Sequence, residues 1–166
     1  MAKALPVYAV NPQGTLAENA PLILHIRLEE MYRFAPYIED VNRVAELHDM
    51  RIAAKRLRYT MEIFSACFPE REFEPLYEAV TSIQEQIGLI HDCDVRRPLA
   101  ESFLESFGTR RPEVRVGLQR LIDHERTNRD TIYVAFIAYW VKLQSKGFKR
   151  KLLQLLASAG PLERGK

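Results

Sequence analysis

Apolar positions recur along this chain at intervals of three and four residues, the spacing of one helical face. Nowhere do they alternate long enough to predict a strand. Leu22, Ile26, Met31 and Phe34 predict a first helix over 20–34 that stops near Pro36. A second helix is predicted over 40–67, stopped by Pro69. A third is predicted from Phe73 to Leu89, with Pro75 in its first turn, where the N–H that proline lacks would have no partner anyway. A fourth covers 91–106 and ends at Gly108. Pro112 opens a fifth that continues to Lys146, where Gly147 ends it. This fifth stretch places Val114, Leu118, Leu121, Ile122, Ile132, Ala135, Phe136, Tyr139 and Leu143 near one stripe. A short sixth, 148–158, ends before Gly160 and Pro161. The pattern predicts an all-α fold, an antiparallel helical bundle of about five to six helices, some of them long. An irregular N-terminal arm is expected at 1–17, one helical domain over 18–160 and a short tail at 161–166.

The composition supports that picture. A chain of 166 residues that is 47% hydrophobic can bury one sizeable core. No run approaches the ~18 uninterrupted apolar residues of a membrane span, and the first residues do not have the pattern of a secretion signal. Cys67 and Cys93 are too far apart in sequence for a zinc pattern and too few for a disulfide framework, so they read as reduced packing residues. A cytoplasmic protein is expected.

Net charge is +2, but the charge is unevenly placed. From Glu62 to Asp94 there are eight acidic residues and Arg71 as the one base. Arg43 to Arg58 carries five bases against Glu46 and Asp49, and Lys142 to Lys151 carries five bases and no acid. Such segregation can present a local field that the total charge hides.

On a helical wheel Leu47, Met50, Ala53, Ala54, Leu57, Met61, Phe64 and Phe68 share an arc of roughly 120°, a normal core-facing stripe. His48, Arg51, Lys55 and Arg58 fall in an adjoining arc of roughly 80°, with Tyr59 and Glu62 at its edges. Arg56 points elsewhere, beside Ile52 and Ile63. Solvated helix faces normally alternate sign, with Glu four residues before Lys or Arg. Here Arg51 and Lys55 face each other at i,i+4, and neither has an acid at that spacing on its own helix; Arg58 has Glu62. The repulsion is relieved either by carboxylates from another helix or by an external anion. Phosphate oxygens suit the second case, because they accept several charge-assisted hydrogen bonds from guanidinium and ammonium groups at once.

The spacing His48-x-x-Arg51-x-x-x-Lys55-Arg56-x-Arg58 resembles the signature of the CHAD family, the conserved histidine α-helical domain. Ile87-Gly88-Leu89-Ile90-His91-Asp92-Cys93-Asp94-Val95 resembles its second motif, usually Leu-Gly, two variable residues, then Arg-Asp-x-Asp-Val. The resemblance covers roughly 40–105. It implies a helical bundle with a basic channel or patch that binds inorganic polyphosphate, a binder rather than a catalyst. By position, His48, Arg51, Lys55, Arg56 and Arg58 become the anion-binding set, supported by Tyr59, His91, Asp92 and Asp94. Asp92 and Asp94 could reach across to Arg51 or Arg58, or cap the fourth helix, since Asp is favoured at helix starts.

The chain departs from the family in two ways. His91 stands where the family more often has arginine. Family domains are usually longer, with two related halves, whereas this chain shows one clear copy, which leaves room for two chains pairing into a homodimer. Charge alone adds Arg126, Arg129, Lys142 and Lys146 as candidate cations of an opposing wall, and the Lys149, Arg150 and Lys151 run beside them.

Two rivals remain at this point. His25, the His48-Asp49 doublet and Asp94 can be arranged as an HD-type metal-dependent phosphohydrolase site, although three cations on the histidine's own face oppose a metal. RNA or DNA would also suit a row of cations, but Tyr59 is the one aromatic beside it, which leaves few stacking platforms. The expectation is therefore a polyphosphate- or polyanion-binding module with no catalytic residues, no metal and no other cofactor, no membrane contact, and nucleic acid as the alternative partner.

Overall fold

A computed structural model describes residues 3–107 and 111–158 of the chain. The fold is all-α, and no strand occurs among the described residues. Helix α1 spans Leu16–Tyr32, α2 Val44–Phe64, α3 Glu70–Phe107, α4 Pro112–Ser145 and α5 Phe148–Ser158. Single 3₁₀ turns follow α1 at Ala35–Tyr37 and α2 at Ser65–Cys67. The expected stops at Gly108, Gly160 and Pro161 and the tail at 161–166 lie outside the described residues.

Helix α1 begins earlier than its apolar spacing suggests, because Thr15 caps it. The Thr15 hydroxyl accepts from the Glu18 N–H, and the Glu18 carboxylate accepts from the Thr15 N–H at 2.6 Å, the reciprocal pair of a capping box. The arm before it is tied down. Leu5 donates its N–H to Glu30, its carbonyl accepts from Arg27 at 3.0 Å, and Asn11 and Asn19 exchange backbone and side-chain bonds.

The predicted third and fourth helices are one helix of 38 residues. Pro69 starts it as well as following α2: its carbonyl accepts from Phe73 at 3.0 Å, so Pro75 lies beyond the first turn. Gly88 weakens a helix interior by roughly 1 kcal/mol, which does not break it while Ile83, Ile87, Ile90 and Cys93 continue one buried stripe across it. Helix α4 runs unbroken for 34 residues, about 50 Å. It stops where Gly147 takes a φ of +72°, a left-handed conformation that glycine adopts without strain.

Consecutive helices pack side by side, α1 on α2, α2 on α3 and α3 on α4, each antiparallel to the last. The ring closes through side chains of α1 and α4. Tyr32 packs on Trp140 with centroids 5.5 Å apart and donates its hydroxyl to Gln144. Where α1 ends, the following turn continues the wall: the buried Tyr133 hydroxyl donates to the Ile38 carbonyl at 2.7 Å. Helix α5 covers one end against α1, α3 and α4. Leu24, Leu28, Met31, Met50, Leu57, Met61, Ile83, Ile87, Phe136 and Leu152 fill the interior. Both cysteines are buried and free.

Candidate functional site at the α2–α3 seam

Two contacts fix how α2 lies on α3. At one end His48 meets His91, Nδ1 to Nδ1 at 3.2 Å. At the other, the Tyr77 hydroxyl donates to Glu62 at 2.7 Å. The antiparallel register between them puts Arg51 level with Gly88, Lys55 with Gln84 and Arg58 with Thr81. Arg51 Nε comes close to α3 at Gly88, where a Cβ built on the glycine would stand 3.4 Å from it, an ordinary contact distance. Arg51 therefore lays its guanidinium stem against the backbone of α3.

The buried faces of α2 are as its spacing predicts: Leu47, Met50, Ala53, Ala54, Leu57, Met61 and Phe64 point inward. Beside them the row from His48 to Arg58 is partly open to solvent, with Lys55 exposed. Among the described residues no carboxylate forms an ion pair with Arg51 or Lys55, and Arg51 Nε is buried without a hydrogen-bond partner. Arg58 Nε stands 3.5 Å from Glu62 Oε1, close enough for an ion pair but outside hydrogen-bond geometry. The Tyr59 ring takes cations on its face, Arg58 at 4.8 Å and Lys55 at 5.6 Å from its centroid.

Residues 4–101, more than half of the chain, match the CHAD domain. The chain belongs to the CHAD family. No curated protein and no solved structure matches it. Both motifs of the CHAD resemblance lie within the matched span, and the fold brings them together, the first on α2 and the second on α3.

The CHAD helices distribute the other candidates differently. Arg56 faces away from the row, with Nη1 3.3 Å from the Oε1 of Glu30, a carboxylate that is only 3% exposed and also holds Arg27 at 2.7 Å. Arg129 is not a surface cation. It is buried, its Nε donates to Asp94 at 2.8 Å and its Nη2 to the Val41 carbonyl at 3.2 Å. Asp94 accordingly neither reaches Arg51 or Arg58 nor caps a helix, because it sits mid-helix and is held by Arg129. Asp92, also mid-helix, cannot cap one either, and is exposed. Arg126 is exposed, 3.9 Å from Asp123. Lys142 and Lys146 line a recess between α3 and α4 with Pro75, Glu78, Ser82 and Tyr139, which no member of the α2 row lines. Lys149 pairs with Glu29 at 2.8 Å. The arrangement of an HD phosphohydrolase is not formed: among the described residues no three histidine, cysteine or carboxylate side chains gather as metal ligands, and Asp94 is committed to Arg129.

The histidine pair has a protonation consequence. In an Nδ1–Nδ1 hydrogen bond one ring donates and the other accepts, so the accepting Nδ1 carries no proton and the two rings cannot both be charged while the bond is kept. Burial holds the His48 pKa below its ordinary value; His91 and then Arg51 press the same way, and Asp49 opposes them. As pH falls through the ordinary histidine range near ~6.5, the unfolded chain takes its proton before folded His48 does, so stability falls with it. Wild-type protein should lose more melting temperature between about pH 7.5 and about pH 5.5 than His48→Gln does. Thermal denaturation of the two at both pH values, without polyanion, checks this.

Proposed function

We propose that this CHAD domain binds inorganic polyphosphate, or a polyanion of the same charge density, through Arg51, Lys55 and Arg58 along the α2–α3 seam, with His48 at one end. The observation that carries the reading is the lack, among the described residues, of a carboxylate partner for Arg51 and Lys55 on a helix whose other cations are paired. Arg43 has Asp40 and Glu46, Arg56 has Glu30 and Arg58 has Glu62. Carboxylates of α1, of α2 and of the turn before it reach these neighbouring cations but not Arg51 and Lys55, which leaves two positive groups for an outside anion, whose oxygens accept several charge-assisted bonds at once. Family membership is consistent with a polyphosphate-related role. The disposition of Tyr59 favours polyphosphate over nucleic acid: its ring faces are used by Lys55 and Arg58, and base stacking needs such a face.

A salt titration of long-chain polyphosphate binding, repeated with RNA as competitor, tests the proposal. Three phosphate contacts should give a log–log slope of about −2 to −3, and RNA in excess of polyphosphate should displace little of it. A salt-independent affinity, no binding, or equal competition by RNA would each defeat it.

A further inference from the structure

Buried polar atoms in folded proteins are almost always hydrogen-bonded, so a cluster of unpartnered ones asks for an explanation. Among the described residues, four such atoms lie on the α2–α3 seam: Arg51 Nε and Arg58 Nε from α2, Thr81 Oγ1 and Gln84 Oε1 from α3. They face one another by register, Gln84 level with Lys55 and Thr81 level with Arg58. Thr81 stands near Tyr77, but the phenol proton is committed to Glu62, and no hydrogen bond of ordinary geometry joins Thr81 to it. Tyr77 itself is held above the usual phenol pKa, first by that bond to Glu62, so it keeps its proton there.

The α3 side of the seam is neutral over this length. Gly88, Gln84 and Thr81 face α2, while the neighbouring acids Glu78, Glu85 and Asp92 are exposed. A wall built to neutralise Arg51 and Lys55 would carry a carboxylate at one of these three positions. An amide and a hydroxyl are what an anion site requires instead. The glutamine amide can turn to present Nε2, and the threonine hydroxyl rotates freely, so each can donate to a phosphate oxygen without bringing negative charge to it. Resting on the polyphosphate reading above, we infer that Thr81 and Gln84 form the second wall of the polyanion site. The ligand's oxygens then lie in the seam and accept from both helices, rather than resting on the outer face of α2 alone. Neither residue belongs to the two motifs that carry the family resemblance.

The inference separates stability from binding. In the Thr81→Val/Gln84→Met double variant two buried polar atoms without partners are replaced by apolar groups of similar shape. The melting temperature of the free protein should therefore hold or rise, while affinity for long-chain polyphosphate, measured by calorimetry at fixed low salt, should fall about fivefold or more. Because the donors removed are neutral, the salt slope should stay that of wild type, whereas removal of Arg51 and Lys55 flattens it. Gln84→Glu, which sets a carboxylate level with Lys55, should lose more affinity than the double variant. Wild-type affinity in the Thr81→Val/Gln84→Met protein would overturn the inference and leave the polyphosphate reading intact. So would a parallel loss of melting temperature and affinity, since that marks a structural role. Wild-type protein that fails to bind polyphosphate would bring down the underlying reading first.

Discussion

Replacing Arg51 and Lys55 together with glutamine should lower affinity for long-chain polyphosphate about a hundredfold at low salt, with helicity unchanged. Hydrogen bonds to charged groups contribute about 1.5–3 kcal/mol each. Lys55 is exposed and its contribution is screened, so the lower end applies. Two such losses amount to about 3 kcal/mol, two factors of ten. The fold should tolerate the change because neither cation is held by a described carboxylate of the protein. Removing them also relieves a repulsive i,i+4 pair worth a few tenths of a kcal/mol. The salt slope should become shallower by nearly two, one for each phosphate that no longer meets a cation. Circular dichroism and equilibrium binding at two or more salt concentrations measure both quantities. An unchanged slope would show that the two side chains do not touch the anion, whatever happens to the affinity.

Arg129→Ala should have the opposite signature, a large loss of stability. Its side chain is 7% exposed and bonds an Asp94 carboxylate that is 12% exposed. Deleting one partner of a buried pair leaves the other desolvated and alone, which costs about 3–5 kcal/mol. The urea midpoint should fall accordingly. The double replacement Asp94→Leu/Arg129→Met should recover most of the loss, since a buried pair exchanged for apolar groups is often nearly neutral. If the single and double variants are equally destabilised, the bond to the Val41 carbonyl matters more than the ion pair. Polyphosphate affinity of the folded double variant should be that of wild type, because Arg129 faces the interior between α3, α4 and the turn after α1.

How much of this was legible in the sequence depended on the range of the interaction. The row on α2 was readable because it follows from residues three and four apart on one helix, and so did the inward stripe beside it. The ion pairs of Arg56 and Arg129 were not legible, for a common reason. Each is neutralised by a carboxylate remote in sequence, Glu30 or Asp94, and spacing along one helix carries no information about the neighbour. The stripe of α4 misled similarly. Its buried face is Ile122, Glu125, Arg129, Tyr133, Phe136 and Trp140, and a count of apolar residues passes over the two charged members. The continuity of α3 was readable in principle. The stripe of Ile83, Ile87 and Ile90 keeps its phase across Gly88, and Pro98 lies on an exposed face further along. Thr81 and Gln84 were not readable, because their importance depends on the register of α3 against α2, which the His48–His91 and Glu62–Tyr77 contacts set.

Glu62 also bounds what the seam can hold. It stands one turn beyond Arg58, fixed by the Tyr77 hydroxyl, and presents a fixed negative charge at the end of the row. If polyphosphate binds as proposed, a flexible polymer lying along the cations would meet that charge and turn outward. The stretch from His48 to Arg58 is about 15 Å long, so on that proposal a chain covering it would have met every cation of the row. Further monomers then add alternative placements of the same segment, and tighter binding would have to come from several domains sharing one polymer.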